Sequence, residues 1–172
     1  MPDRTGIISA KGNPLTLSGS GEVKVGDTAP DVVVSKSPTE DVKLSDFRGK
    51  KVILNSAPSV DTSVCSNQMA RFNEEALKLG DDVVVLSVTM DLPPALARWC
   101  EANKAEAIKA FSDYKHRDFG DKFGLRVKEL GLLARTVHIL DAQGVVKYQQ
   151  IVPDIPTEPD YDDVLKALKE LA

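Results

Sequence analysis

Val52-Ile53-Leu54-Asn55-Ser56-Ala57-Pro58-Ser59-Val60-Asp61-Thr62-Ser63-Val64-Cys65 opens a strand–helix–strand run that closes at Val83-Val84-Val85-Leu86-Ser87-Val88. Val52-Ile53-Leu54 reads as a buried strand ending near Pro58. Asp61 or Thr62 offers an oxygen to cap a helix start. The helix then carries Cys65, Met69, Phe72, Ala76 and Leu79, spaced by four, three, four and three. That rhythm lines one face. Gly80 stops the helix. Val83 to Val88 is almost continuously apolar, as an interior strand covered on both faces is.

The flanking segments extend the pattern. Ile7-Ile8-Ser9-Ala10 and Leu15-Thr16-Leu17 flank Lys11-Gly12-Asn13-Pro14 and predict an N-terminal β-hairpin at about 6–18. Val32-Val33-Val34 and Val42-Lys43-Leu44 are short strands, the second leading into a helical turn up to Gly49. Asp91-Leu92-Pro93-Pro94 starts a helix, with proline tolerated in its first turn. Ile108 to Phe111 is a short strand, followed by a helix near Arg117 to Phe123. Thr136 to Leu140 and Val145 to Gln149 flank Asp141-Ala142-Gln143-Gly144, a hairpin signal. The last helix, Tyr161 to Leu171, is expected to bury Tyr161, Val164, Leu165, Leu168 and Leu171. The order implies an α/β fold with a mixed sheet.

A chain of 172 residues, 42% hydrophobic, suits one domain spanning 1–172. Its net charge is −4, with both signs scattered along the chain, which argues against nucleic acid and anionic membranes as partners. Neither an apolar run of membrane-spanning length nor a secretory leader is visible, so a soluble, cytoplasmic protein is expected. Two cysteines, Cys65 and Cys100, are not a secreted disulfide framework; if they pair, the bond is redox-active. His116 and His138 show no short-range ligand spacing with them, so zinc is a poor reading.

Cys65 is the candidate for chemistry. With Thr62 as N-cap it takes the third helical position, near unpaired amide N–H groups and the positive end of the helix dipole. Both favour the thiolate, the nucleophilic form of cysteine. The same position also suits a small buried hydrophobe on the core face. Arg135, at the entrance to the apolar strand Leu132 to Val137, is the candidate cation, with Arg126 its nearest rival in sequence. A guanidinium stays charged when desolvated and offers a fixed fork of donors. Taken singly, Arg135 also reads as a solvated strand end, Thr62 as a cap and Pro58 as a strand terminator.

Together these residues resemble the peroxiredoxins, and most closely the bacterial thiol peroxidases, or atypical two-cysteine peroxiredoxins. The signature of proline, three residues, threonine or serine, two residues and cysteine stands as Pro58, Thr62 and Cys65. Three further segments match. Asp91-Leu92-Pro93 leading to Arg98-Trp99-Cys100 looks like the resolving-cysteine helix. Leu133-Ala134-Arg135-Thr136-Val137 looks like the strand of the catalytic arginine, and Thr157-Glu158-Pro159-Asp160-Tyr161 like the entry to the last helix.

The resemblance implies a thioredoxin-like fold with an added N-terminal hairpin. It implies hydroperoxide reduction to water or alcohols without a cofactor. Cys65 would be the peroxidatic cysteine, with Arg135 and Thr62 binding the peroxide and Pro58 shielding the sulfur. Cys100 would be the resolving cysteine, forming a Cys65–Cys100 disulfide that thioredoxin reduces. A homodimer is implied as well. Ala57 stands where the family usually has an aromatic residue, which predicts a looser pocket wall. Trp99 and His138 are milder departures. Two rival readings are weaker. A thioredoxin-type reductase needs Cys-x-x-Cys, and residue 68 is Gln68. A binding module with inert cysteines would leave four matched positions to accident.

Overall fold

The computed structural model describes residues 1–171. A hairpin of β1 (Arg4–Ala10) and β2 (Asn13–Ser18) comes first, followed by β3 (Val33–Ser35) and β4 (Asp41–Lys43). A 3₁₀ turn at Leu44–Phe47 leads to β5 (Lys51–Ser56), α1 (Ser63–Ala76) and β6 (Val83–Thr89). Then come α2 (Pro93–Ala102), β7 (Lys109–Ser112) and α3 (Asp118–Phe123). Two short strands, β8 (Arg126–Val127) and β9 (Leu132–Leu133), precede β10 (Thr136–Leu140), β11 (Val146–Ile151) and α4 (Tyr161–Glu170).

The main sheet runs β11-β10-β5-β6-β7-β3-β4. Its centre, β5-β6-β7, is parallel, and β10 joins β5 antiparallel. Side chains alternate across it, as the strand period of two requires. Ile53, Val85, Val137 and Ile139 face one layer with Met69 and Phe72 of α1, Leu96 and Trp99 of α2, and Val164 and Leu168 of α4. Val52, Leu54, Val84, Leu86 and Leu140 face the other with Phe119 and Phe123 of α3. The covering of both faces explains the unbroken apolar runs. A second sheet, β1-β2-β8-β9, encloses a smaller core of Ile8, Leu15, Leu17, Val127, Ala134 and Ile155.

The mixed α/β sheet and the N-terminal hairpin match the expectation. Lys11 and Gly12 turn the hairpin with φ of 50° and 82°, as a tight two-residue turn requires. Two details differ. The first long helix ends at Ala76, not Leu79, although Leu79 still packs against the core from beyond the helix end. The apolar run from Leu132 is two strands, not one. Leu132–Leu133 pairs in the small sheet, Thr136–Leu140 pairs in the large one, and Ala134 and Arg135 lie at the break.

Candidate active site

The loop between β5 and α1 delivers Cys65. Thr62 has extended dihedrals (φ −96°, ψ 145°), and its Oγ1 accepts the Cys65 backbone N–H at 3.4 Å, so it is the N-cap. The hydroxyl donates its own proton to the Ser59 carbonyl at 3.2 Å. One of its lone pairs stays free to accept from a ligand. Asp91 fastens the same loop from the other side. Its carboxylate accepts the Ser59 hydroxyl at 2.6 Å, the Val60 N–H at 2.8 Å and the Thr89 hydroxyl at 2.7 Å. Asp91 stands just before α2, so the approach to Cys65 is tied to the entry of the Cys100 helix.

Arg135 lies beneath the start of α1 and is 1% exposed. Its fork meets three partners. Nη2 donates to Cys65 Sγ at 3.3 Å, Nη1 to Gln68 Oε1 at 2.8 Å, and Nε to the Ile155 carbonyl at 2.8 Å. The sulfur therefore faces a fixed positive charge at a buried position, where such a contact is stronger than in water. Gln68, fully buried on α1, holds its amide in place through Asn55 Oδ1 (3.0 Å) and the Ser56 carbonyl (3.1 Å). Asn55 in turn donates to the Leu86 carbonyl and the Ser87 hydroxyl, each at 2.9 Å. The guanidinium is thus anchored into β5 and β6. The break between β9 and β10 lets it leave the sheet at this point.

Pro58, Thr62, Ser63, Val64, Cys65, Arg135, Ile155 and Pro156 line one cavity of about 250 Å³. The structure therefore brings together Pro58, Thr62, Cys65 and Arg135. Cys100 is apart. Both thiols are free, and Cys100 opens into a different groove of about 460 Å³, with Pro93, Leu96, Ala97 and Ile108. Burial raises the Cys100 thiol above its ordinary range, so it stays protonated near neutrality.

A buried cysteine on a capped helix start, paired with a buried arginine, is an arrangement with known relatives. The family model described as Redoxin matches residues 24–165. The thiol peroxidase of Bacillus subtilis (strain 168) is 47% identical over 164 residues, which cover 95% of this chain and 97% of the relative. This chain belongs to the Redoxin family, among the thiol peroxidases. The peroxiredoxin-like protein from Aquifex aeolicus has a TM-score of 0.89 at 38% identity, covering 98% of both chains. The thiol peroxidase from Chromobacterium violaceum, 22% identical, shares the fold with a TM-score of 0.83 over 95% of each chain.

Several features of this thiol peroxidase fold differ from the sequence reading or lie beyond it. Arg126 is not beside Cys65; its guanidinium stands 3.7 Å from Asp121. Ala57 is buried, donates its N–H to the Val88 carbonyl and is not among the residues that line the cavity. Ile155 and Pro156 form the wall instead. Gln68, Asp91 and Ile155 were not anticipated as parts of the site. Gln68 alone left a signal: an uncharged polar residue on the core-facing stripe, one turn after Cys65. His138 is buried beside Gln149, and desolvation lowers it to about 4, so it is neutral. Among the described residues, no helix is long and apolar enough to cross a membrane.

Proposed function

We propose that Cys65 attacks the terminal oxygen of a hydroperoxide, that Arg135 and Thr62 hold that peroxide, and that Cys100 resolves the oxidised sulfur. The reaction class, thiol-dependent reduction of peroxides, goes with the thiol peroxidase family. One observation supports the residue assignment above the rest: the Arg135–Cys65 contact of 3.3 Å in a cavity that also holds Thr62 and Pro58. After its three contacts, the guanidinium keeps two unused N–H donors for a peroxide oxygen. The free lone pair of Thr62 can accept the peroxide O–H.

The Cys65 thiolate donates an electron pair to the terminal oxygen and the O–O bond breaks. The sulfur becomes a sulfenic acid, and the other oxygen leaves, is protonated and departs as alcohol or water. Donors fixed on that developing charge are where preorganisation lowers a barrier most. The Cys100 sulfur then attacks the sulfenic sulfur, water leaves, and a Cys65–Cys100 disulfide forms. A thioredoxin-type dithiol reduces it by exchange and is itself oxidised. Two unpaired thiols suit the reducing cytoplasm. The family resemblance supports a homodimer, which sedimentation velocity tests.

Hydroperoxide consumption by wild type, Cys65→Ser and Cys100→Ser, with intact mass of the oxidised proteins, tests the cycle. Cys65→Ser loses all turnover. Cys100→Ser reacts once and then stalls as a sulfenic or more oxidised species. Full activity in Cys65→Ser refutes the assignment.

A further inference from the structure

Cys65 and Cys100 each have a neighbour in chain that joins the two helices. Trp99 Nε1–H donates to Ser66 Oγ at 2.8 Å. Ser66 directly follows Cys65 and Trp99 directly precedes Cys100. It is the one side-chain hydrogen bond between α1 and α2 among the described residues. The indole is 9% exposed and packs in the layer of Met69 and Phe72; Cys100, partly buried, touches the same layer but opens into the separate groove.

Consecutive helical residues point about 100° apart. Trp99 therefore occupies the side of α2 that meets the start of α1, and Cys100 lies a quarter-turn or more around from it. A disulfide requires the two cysteine Cα atoms within about 7 Å. Cys100 opens into a groove that Cys65 does not line, so bringing the two sulfurs together calls for rotation or unwinding of α2, which carries Trp99 with it. The indole N–H then has to leave Ser66.

We infer that the Trp99–Ser66 hydrogen bond is a latch that holds the thiol peroxidase in its closed, peroxide-reactive form and sets the rate at which the oxidised enzyme opens to form its disulfide. The inference rests on Cys65 being peroxidatic and Cys100 resolving. The latch acts after the peroxide step. The Cys65 sulfenic acid and the Cys100 thiol combine with loss of water only in the opened form. In the closed form, a second hydroperoxide can oxidise the sulfenic acid to sulfinic acid and leave as alcohol or water. Trp99 and Ser66 are thus positioning residues that divide the sulfenic acid between resolution and inactivation.

Rapid-quench mass spectrometry tests this on wild type, Ser66→Ala, Trp99→Phe and the double variant, with Ser66→Thr keeping the acceptor. A hydrogen bond of ordinary net strength shifts an opening equilibrium about fivefold. Each single variant forms the disulfide about fivefold faster and needs about fivefold more peroxide before half of Cys65 becomes sulfinic acid. The first, peroxide-dependent step keeps its rate. The double variant matches the singles, because the same bond is lost, and Ser66→Thr behaves as wild type. Disulfide formation that is unchanged or slower in both single variants, or additive gains in the double, overturns the latch while leaving the two-cysteine cycle standing. If oxidised wild type holds no Cys65–Cys100 disulfide at all, the cycle itself fails and the latch fails with it.

Discussion

Replacing Arg135 by lysine keeps the positive charge and removes the fork, so it separates charge from geometry. The guanidinium makes three contacts at once: Cys65 Sγ at 3.3 Å, Gln68 Oε1 at 2.8 Å and the Ile155 carbonyl at 2.8 Å. A lysine ammonium is a compact charge on a flexible stem and reaches one of these positions well. Two hydrogen bonds from a charged donor are then lost at a site with almost no water. At about 1.5–3 kcal/mol each, the fold loses roughly 3–6 kcal/mol, a large share of the 5–15 kcal/mol that holds a typical domain together. The loss in rate is separate. Taking away one preorganised donor to developing charge slows a reaction by about 10²–10³. Arg135→Lys is therefore expected to slow the second-order reaction of Cys65 with hydroperoxide by at least a hundredfold. Stopped-flow single-turnover kinetics measures it, at a temperature where urea unfolding shows the variant still folded. A folded Arg135→Lys within threefold of wild type would show that a nearby positive charge suffices and that the fork has no part.

Gln68→Leu leaves Asn55 Oδ1 and an Arg135 N–H without partners. It is expected to destabilise the fold by about 2–4 kcal/mol in urea melts and to slow the peroxide step about tenfold, and an unchanged rate would remove Gln68 from the positioning of Arg135. Thr62→Val removes the cap on Cys65 N–H and the lone pair for the peroxide proton. A stability loss of about 1 kcal/mol should come with a slower peroxide step, and normal kinetics in a destabilised variant would leave Thr62 a cap only. His138, held near 4 when folded, takes up a proton in the unfolded chain below its ordinary value of 6.5. Wild type should therefore lose about 3 kcal/mol relative to His138→Gln as pH falls from 6.5 to 4, and no more below that. Asp113, raised to about 6 by burial, titrates with the opposite sign but is common to both chains. A pH-independent difference between the two melts would contradict a desolvated, neutral His138.

The parts of the fold legible in sequence were those with local causes. The apolar runs of β5, β6 and β10, the cap at Thr62 and the prolines opening α2 each carry their reason within a few residues. Cys65 could be placed at a helix start on that basis. Arg135 could be nominated but not positioned, because its approach to the sulfur depends on the interruption between β9 and β10, which belong to different sheets, and β8 and β9 are too short to show any period. Ile155 and Pro156 left no pattern because their role is set by contacts across the fold. Gln68 was visible as a polar intruder on an apolar face, yet the helix period alone favoured its neighbour Met69. The separation of Cys100 from Cys65 was open in the sequence for the same reason: two helices can be assigned without fixing how either is rotated.

The N-terminal hairpin touches no reacting atom, yet it braces the arginine. Ser9 N–H donates to the Pro153 carbonyl at 2.7 Å, Ile155 N–H donates to the Ser9 carbonyl at 2.9 Å, and the Ile155 carbonyl receives Arg135 Nε. Ile155 also shares its small core with Ile8, Leu15 and Leu17. The first strand therefore acts as a splint for the carbonyl on which the guanidinium rests. Alterations near the chain start that spare every cavity residue should still reach the Cys65 sulfur, by way of a backbone ladder rather than a side chain.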